Sequence, residues 1–215
     1  MSPSMDASTF RTSPKLILVL GGARSGKSAF AERLAASSGR RIAFIATATA
    51  SDDDMRQRIA HHRASRPPDW LTIEESLHLA GALRRASTDA DVLLLDCITL
   101  WLANWMGQQG SLELEDAPAL HETYTNGILS DIEEFLTTLE TLSPDKTLIV
   151  VTNEVGLGIV PAYPLGRVYR DALGRVNQRL ARAADRVYLM VAGLAVDIKR
   201  LHEEASLKFD NNEQP

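Results

Sequence analysis

The sequence predicts an α/β fold: a mostly parallel sheet with helices on both faces. Three observations carry that expectation. Strand-like and helix-like segments alternate along the chain, the pattern of an open sheet wound with helices. The strand-like runs are almost continuously β-branched or Leu, as suits strands buried on both faces. The first of them, Leu16–Leu20, leads directly into a glycine-rich loop and then a helix-like segment. In such sheets ligands sit beyond the carboxyl ends of the strands, where that loop lies.

Taken in order, residues 1–14 are rich in Ser, Thr and Pro and read as a disordered leader. A single domain is expected over 15–202, and the polar stretch 203–215 reads as a flexible tail. Within the domain, strand 16–20 is followed by a helix over 27–38 and a second strand over 42–47. Acidic residues at its start and Pro67-Pro68 beyond its end bracket a helix over 52–64. Helices follow over 76–86, 98–107, 119–142 and 165–184, with strands over 91–95, 147–152 and 186–191. Gly107 to Pro118 is the expected flexible loop.

Composition narrows the function. A chain of 215 residues with 45% hydrophobic and 24% charged residues is an ordinary globular chain. Its net charge of −5 argues against a dedicated nucleic-acid binder. No apolar run approaches the ~20 residues of a membrane span, and the first 14 residues hold no secretory apolar core. The single cysteine, Cys97, cannot form an internal disulfide, so a cytoplasmic location is expected.

The chemistry begins at Gly21-Gly22-Ala23-Arg24-Ser25-Gly26-Lys27-Ser28, which fits G-x-x-x-x-G-K-[ST]. Glycines let the backbone close around an anion with its N–H groups pointing inward, and the next helix adds the positive end of its dipole. Lys27 is expected on the β/γ-phosphates and the Ser28 hydroxyl on Mg²⁺. The fold is therefore expected to be a three-layer P-loop NTPase type with a RecA-like sheet, binding a nucleoside triphosphate. Asp96, closing Val92-Leu93-Leu94-Leu95, fits the acid that holds the magnesium shell. Cys97 beside it reads as a small buried filler, since no basic residue flanks it.

The segment 52–70 is the second informative stretch. Helical phase puts Met55, Ile59 and His62 on one stripe, and His61 on a different side near Gln57, Arg58 and Ser65. His62 then reads as a packed or hydrogen-bonded side chain, and His61 as the one free to face a ligand among Arg58, Arg63 and Arg66. A neutral imidazole can attack phosphorus to form a phosphoramidate while arginines neutralise the oxyanions. From spacing alone, a surface histidine on a solvated basic helix is the open alternative. Adjacent histidines with a distant lone cysteine do not suit zinc.

At these residues the chain resembles the bifunctional adenosylcobinamide kinase/adenosylcobinamide-phosphate guanylyltransferases of cobalamin biosynthesis. The resemblance spans about Leu16 to Lys199. Beyond the phosphate loop it rests on Ile45-Ala46-Thr47-Ala48, on Asp53-x-Met55-x-x-Arg58-Ile59-x-His61-His62-x-x-x-Arg66-Pro67-x-x-Trp70, and on Cys97-Ile98-Thr99. It continues through Thr152-Asn153-Glu154-Val155-Gly156-x-Gly158-Ile159-Val160-Pro161 and Gly174-Arg175-x-Asn177-Gln178. The His-His-x-x-x-Arg-Pro and Asn-Glu-Val-Gly blocks are its specific marks. It implies that His61 receives GMP from GTP. It also implies nucleotide contacts at Thr47, Ala48 and Thr49, at Arg63, Ala64, Ser65 and Arg66, and at Glu74 and Asp96. Asp96 stands where this family commonly has Glu, so contact with magnesium through water is expected.

The implied chemistry has two steps. The γ-phosphoryl of ATP or GTP passes to the aminopropanol hydroxyl of adenosylcobinamide. His61 then attacks the α-phosphorus of GTP, pyrophosphate leaves, and adenosylcobinamide phosphate takes the GMP to give adenosylcobinamide-GDP. The resemblance further implies a homotrimer with sites at subunit boundaries. Two other readings stay open: a plain small-molecule kinase without a covalent histidine, and a RecA-like motor NTPase. The acidic charge and small size weigh against the motor. Trp101 and Trp105, spaced i, i+4, read as core or subunit-contact residues, and Glu154 as a minor active-site candidate. The Arg167, Arg170, Arg175, Arg179 and Arg182 series reads as a basic helix face that solvates the helix or pairs with acids.

Overall fold

A computed structural model of the chain describes residues 15–50, 53–64, 66–108 and 118–210. The proposed leader, most of the Gly107–Pro118 loop and the last five residues, 211–215, lie outside the described residues. Seven strands form one sheet in the order β3-β2-β4-β5-β1-β6-β7. They are β1 (Leu16–Gly21), β2 (Ile42–Ala46), β3 (Leu71–Glu74), β4 (Val92–Asp96), β5 (Thr147–Val151), β6 (Arg186–Val191) and β7 (Leu194–Asp197). All neighbours pair in parallel except β6 and β7, which form an antiparallel hairpin. The helices are α1 (Lys27–Ala36), α2 (Asp53–Ala64), α3 (Leu79–Asp89), α4 (Ile98–Gln108), α5 (Pro118–Thr141), α6 (Pro164–Ala183) and α7 (Ile198–Asp210). The expected mostly parallel three-layer α/β fold is what the chain forms.

Strand alternation divides the core in two. On one face Leu16, Leu18, Leu20, Leu93, Leu95, Leu148 and Val150 pack against α3, α4, α5 and α6. On the other, Ile17, Val19, Leu94, Ile149 and Val151 meet Ala31 and Ala35 of α1. Small residues on α1 let it lie close over the central strands, which brings its N-terminus to their carboxyl ends. Trp101 is fully buried, and its indole N–H donates to the Leu77 carbonyl at 2.8 Å. Trp105 instead packs edge-on against Tyr124 of α5 and donates to Asp131 at 2.7 Å. Both tryptophans thus serve packing within the chain.

The differences from the sequence reading have local causes. Strands β3 and β7 are four residues each, too short to show periodicity, and β3 is half-exposed. Helix α3 starts at Leu79 rather than 76 because the Glu75 carboxylate takes the N–H groups of Leu77 and His78 at 3.1 and 3.0 Å. Helix α7 carries regular structure to Asp210, past residue 202 where a flexible tail was expected. Asp197 accepts the Arg200 N–H at 3.1 Å as an N-cap, and Arg200 pairs with Glu204 one turn on. In the α6 arginine series, Arg179 pairs with Glu133 of α5 and Arg170 with the adjacent Asp171.

At the amino ends of the central strands, Asp91 ties three strands of the sheet together. Its carboxylate accepts from Arg41 at 3.2 Å and from Lys146 at 3.1 Å, the residues that lead into β2 and β5. Hydrogen bonds from Arg41 and then Lys146 hold its carboxyl at about 2, below the usual 3.8. A carboxyl depressed on folding stabilises the fold above its unfolded value, about 4, and loses that contribution as pH falls toward about 2. Asp91→Asn is therefore expected to lower the urea midpoint at neutral pH, with the difference from wild type shrinking between about pH 4 and pH 2. A difference that stays constant over that range contradicts this role.

Candidate functional site

The loop between β1 and α1 is shaped by close backbone approaches. Gly21, at φ 153°, has no room for a side chain: a Cβ there would lie 2.5 Å from the Met190 carbonyl oxygen and 2.9 Å from Ser25 Oγ. Gly26, at φ 93°, is the left-handed residue from which α1 starts, and no side chain caps that helix. The N–H groups of the first turn therefore remain for an anion. The β6–β7 turn, Ala192-Gly193, presses against this loop from behind. Its Gly193 N–H donates to the Ser25 carbonyl at 3.0 Å, and a Cβ on Gly26 would sit 3.3 Å from Gly193 Cα.

Lys27 is buried, and its ammonium donates to the Gly22 carbonyl of its own loop at 2.6 Å. Burial lowers its pKa from the ordinary 10.5, with Cys97 and Asp96 acting in the opposite sense. The ammonium is thus held over the loop, partly desolvated and near an acid.

A cavity of about 1200 Å³ opens over the loop. Ala23 to Ala29 form its floor, and Asp96, Cys97, Val151 and Asn153 one side. Ala48, Thr49, Glu74, Glu75 and Ser76 come from the ends of β2 and β3, and Ile59, Arg63 and Arg66 from the α2 side. That volume exceeds the ~300–1,000 Å³ of a single small-ligand cleft. Ser28 and Asp96 both reach it, and their hydroxyl and carboxylate oxygens are hard donors of the kind magnesium takes.

Arginine chemistry marks the α2 wall. The Arg66 guanidinium stacks on the Phe44 ring at 3.6 Å from its centroid, and its buried Nε has no hydrogen-bond partner among the described residues. Burial lowers its pKa, against the pull of nearby acids led by Glu32. A desolvated cation on a cavity wall, with a donor unspent, is suited to an anionic ligand. Arg63 pairs with Glu74 at 3.3 Å across the cavity mouth.

Most of the sequence-derived residues meet at this cavity, with exceptions. Thr47 is fully buried and off the wall: its hydroxyl donates to the Cys97 carbonyl and accepts the Cys97 N–H, both at 2.8 Å. Its side chain is committed to joining β2 to β4, so a side-chain contact with nucleotide is not available there. Gly21 and Gly22 are not among the residues lining the wall, and Ala64 is exposed at the end of α2. Ser65 and the side chains of Arg58, His61 and His62 lie outside the described residues. Ile59 and Arg63 form the cavity edge of α2. The Ile59 side, expected to be packing, is the side that meets the cavity.

Cys97, expected as a buried filler, is only partly buried and lines the cavity, but burial, and then Asp96, push its thiol up to about 12, so it is not a nucleophile at neutral pH. Glu154 is absent from the cavity wall, and its carboxylate accepts the Gly156 N–H at 2.7 Å. Sequence reasoning passed over Glu75, Ser76 and Asn153 on the wall. It also passed over Asn104 of α4, which donates to the Thr47 carbonyl at 2.7 Å and the Ser76 carbonyl at 3.3 Å and accepts from Thr49 at 2.9 Å. The strand-end position of Asn153 was the available signal; the others depend on tertiary packing.

Comparison with known proteins identifies the family of the chain. The model of the family described as "Cobinamide kinase / cobinamide phosphate guanyltransferase" matches residues 17–198. The bifunctional adenosylcobalamin biosynthesis protein CobP of Pseudomonas aeruginosa is 44% identical over 182 residues, 85% of this chain and 96% of the relative. The bifunctional protein CobU of Salmonella typhimurium is 42% identical over 187 residues, covering 86% and 99%. The RadB recombinase superposes with a TM-score of 0.46 at 14% identity, covering 81% of this chain and 73% of that one, and adds nothing to the strand order already described. With a family model spanning most of its length and relatives above 40% identity over nearly their whole chains, this protein belongs to the cobinamide kinase/cobinamide phosphate guanyltransferase family.

Proposed function

We propose that the cavity binds a nucleoside triphosphate and serves two reactions in turn. The first moves the γ-phosphoryl of ATP or GTP to a hydroxyl of adenosylcobinamide. The second moves GMP from GTP, through His61, to the phosphate so formed. The observation that carries this reading is the convergence on one cavity of the uncapped start of α1, Lys27, Asp96 and the arginines at the end of α2.

In the guanylyl half, a neutral nitrogen of His61 attacks the α-phosphorus; an N–P bond forms as the P–O bond to the β-phosphate breaks, and pyrophosphate leaves with its charge. The corrinoid phosphate then attacks the same phosphorus and restores the imidazole. Lys27 and the α1 amides neutralise the phosphates, and Arg66 stabilises oxyanion charge. Magnesium, held by Ser28 and Asp96 or by its water shell, would act as a Lewis acid on phosphate oxygens.

We further propose the homotrimer. Leu157 and Ile159 in the loop after β5 are 86% and 97% exposed, and Leu194 in edge strand β7 is 72% exposed. Apolar groups displayed in this way mark surfaces covered by another chain. Among the described residues no helix is long and apolar enough to cross a membrane, and a cytoplasmic location remains part of this proposal.

Incubation with α-labelled GTP is expected to leave label on the protein, stable to base and labile to acid, whereas γ-labelled GTP leaves none. His61→Ala should abolish that label while phosphoryl transfer to adenosylcobinamide persists. Lys27→Ala should abolish both. Full labelling of the His61→Ala protein, or equal loss of both activities in it, contradicts the assignment. Light scattering should give three times the chain mass, and Ile159→Asp should shift it toward one chain mass. A monomeric wild-type protein contradicts the trimer.

A further inference from the structure

The end of β5 carries a residue that the phosphate-binding motif does not include. In the sheet, β5 lies between β1, which feeds the phosphate loop, and β4, which ends in Asp96. The register aligns Val151 with Val19 on one side and with Asp96 on the other. Asn153 is two residues further on, about 6.6 Å past that line at the ~3.3 Å rise of a strand. It therefore emerges level with Gly21, between the loop that holds phosphates and the acid suited to magnesium.

Its side chain is aimed by alternation. Val151 packs on the α1 face, and Thr152 turns to the opposite face, where its hydroxyl donates to Asn177 of α6 at 2.8 Å. Asn153 returns to the α1 face and lines the cavity. The backbone there is fixed on both sides. Its N–H donates to Thr99 Oγ1 at 2.8 Å, and its carbonyl accepts from the buried Asn177 carboxamide at 2.9 Å. The next residue, Glu154, donates its N–H to the Gly21 carbonyl at 3.0 Å, so this strand end and the phosphate loop move as one. The Asn153 carboxamide itself has no hydrogen-bond partner among the described residues.

We propose that the Asn153 carboxamide N–H binds the terminal phosphoryl group of the triphosphate, making this residue the site's discriminator of triphosphate from diphosphate. A neutral amide suits that place: it donates to the phosphate oxygens without the electrostatic trap of another cation, and it releases the group once transferred. Asn177 and Thr99 act as positioning residues, holding the strand end so that the carboxamide meets the phosphate without reorganisation. This inference rests on the reading of the cavity as a triphosphate site.

Binding of the α,β-methylene analogues of GTP and GDP, which cannot pass on their nucleotidyl group, tests it by calorimetry with magnesium present. Wild type is expected to prefer the triphosphate. Asn153→Ala should weaken the triphosphate analogue by roughly 10- to 100-fold, the range for a hydrogen bond to a charged group, and leave the diphosphate analogue unchanged. Asn153→Asp, isosteric and with the same backbone anchors, should lose more triphosphate affinity through charge repulsion. A triphosphate preference retained by both variants overturns the inference and spares the reading of the cavity. Failure of wild type to bind either analogue overturns both.

Discussion

The site depends on backbone hydrogen bonds that brace the phosphate loop from two sides. The Gly21 carbonyl accepts from the strand end after β5, and the Ser25 carbonyl from the turn between β6 and β7. Between those bonds the chain passes so close to Met190 that only glycine fits at position 21. A loop braced in this way keeps its N–H groups aimed inward before any ligand arrives, which lowers the cost of ordering on binding. The same bracing couples the antiparallel edge of the sheet to the glycine-rich loop.

Side chains at the carboxyl ends of the strands fall into two sets according to where they lie. Thr47, Thr99, Asn104 and Asn177 spend their polar groups on backbone atoms of neighbouring loops. Lys27, Asp96, Arg66 and Asn153 line the cavity, with the Lys27 ammonium also on the Gly22 carbonyl of its own loop. The first set fixes the positions of the loops, and the second forms the cavity wall. A threonine inside a binding motif can therefore belong to the scaffold, as Thr47 does.

The sheet core was legible because its strands are continuous apolar runs, and the phosphate loop because its chemistry demands fixed residues at fixed spacing. Asp96 followed from its place after four apolar residues. Strands β3 and β7 escaped because four half-exposed residues carry no period, although Ala192-Gly193, both at positive φ, form the tight turn that makes the hairpin. The cavity-facing side of α2 also escaped. Helical phase separates the faces of a helix, but the neighbours that each face meets are decided by packing, and here the Ile59 side meets the cavity. The brace from Asn104 and the reach of Arg66 across Phe44 join segments distant in sequence, so no local pattern announces them.

The central claim is that a triphosphate held by the loop gives its nucleotidyl group to one imidazole on α2. Peptide mapping by tandem mass spectrometry after incubation with GTP and magnesium tests it most directly. The account predicts a single GMP adduct on the peptide from α2, with fragment ions placing it on His61. An adduct on His62, on Lys27 or elsewhere, or none at all in a protein that binds GTP, would contradict it.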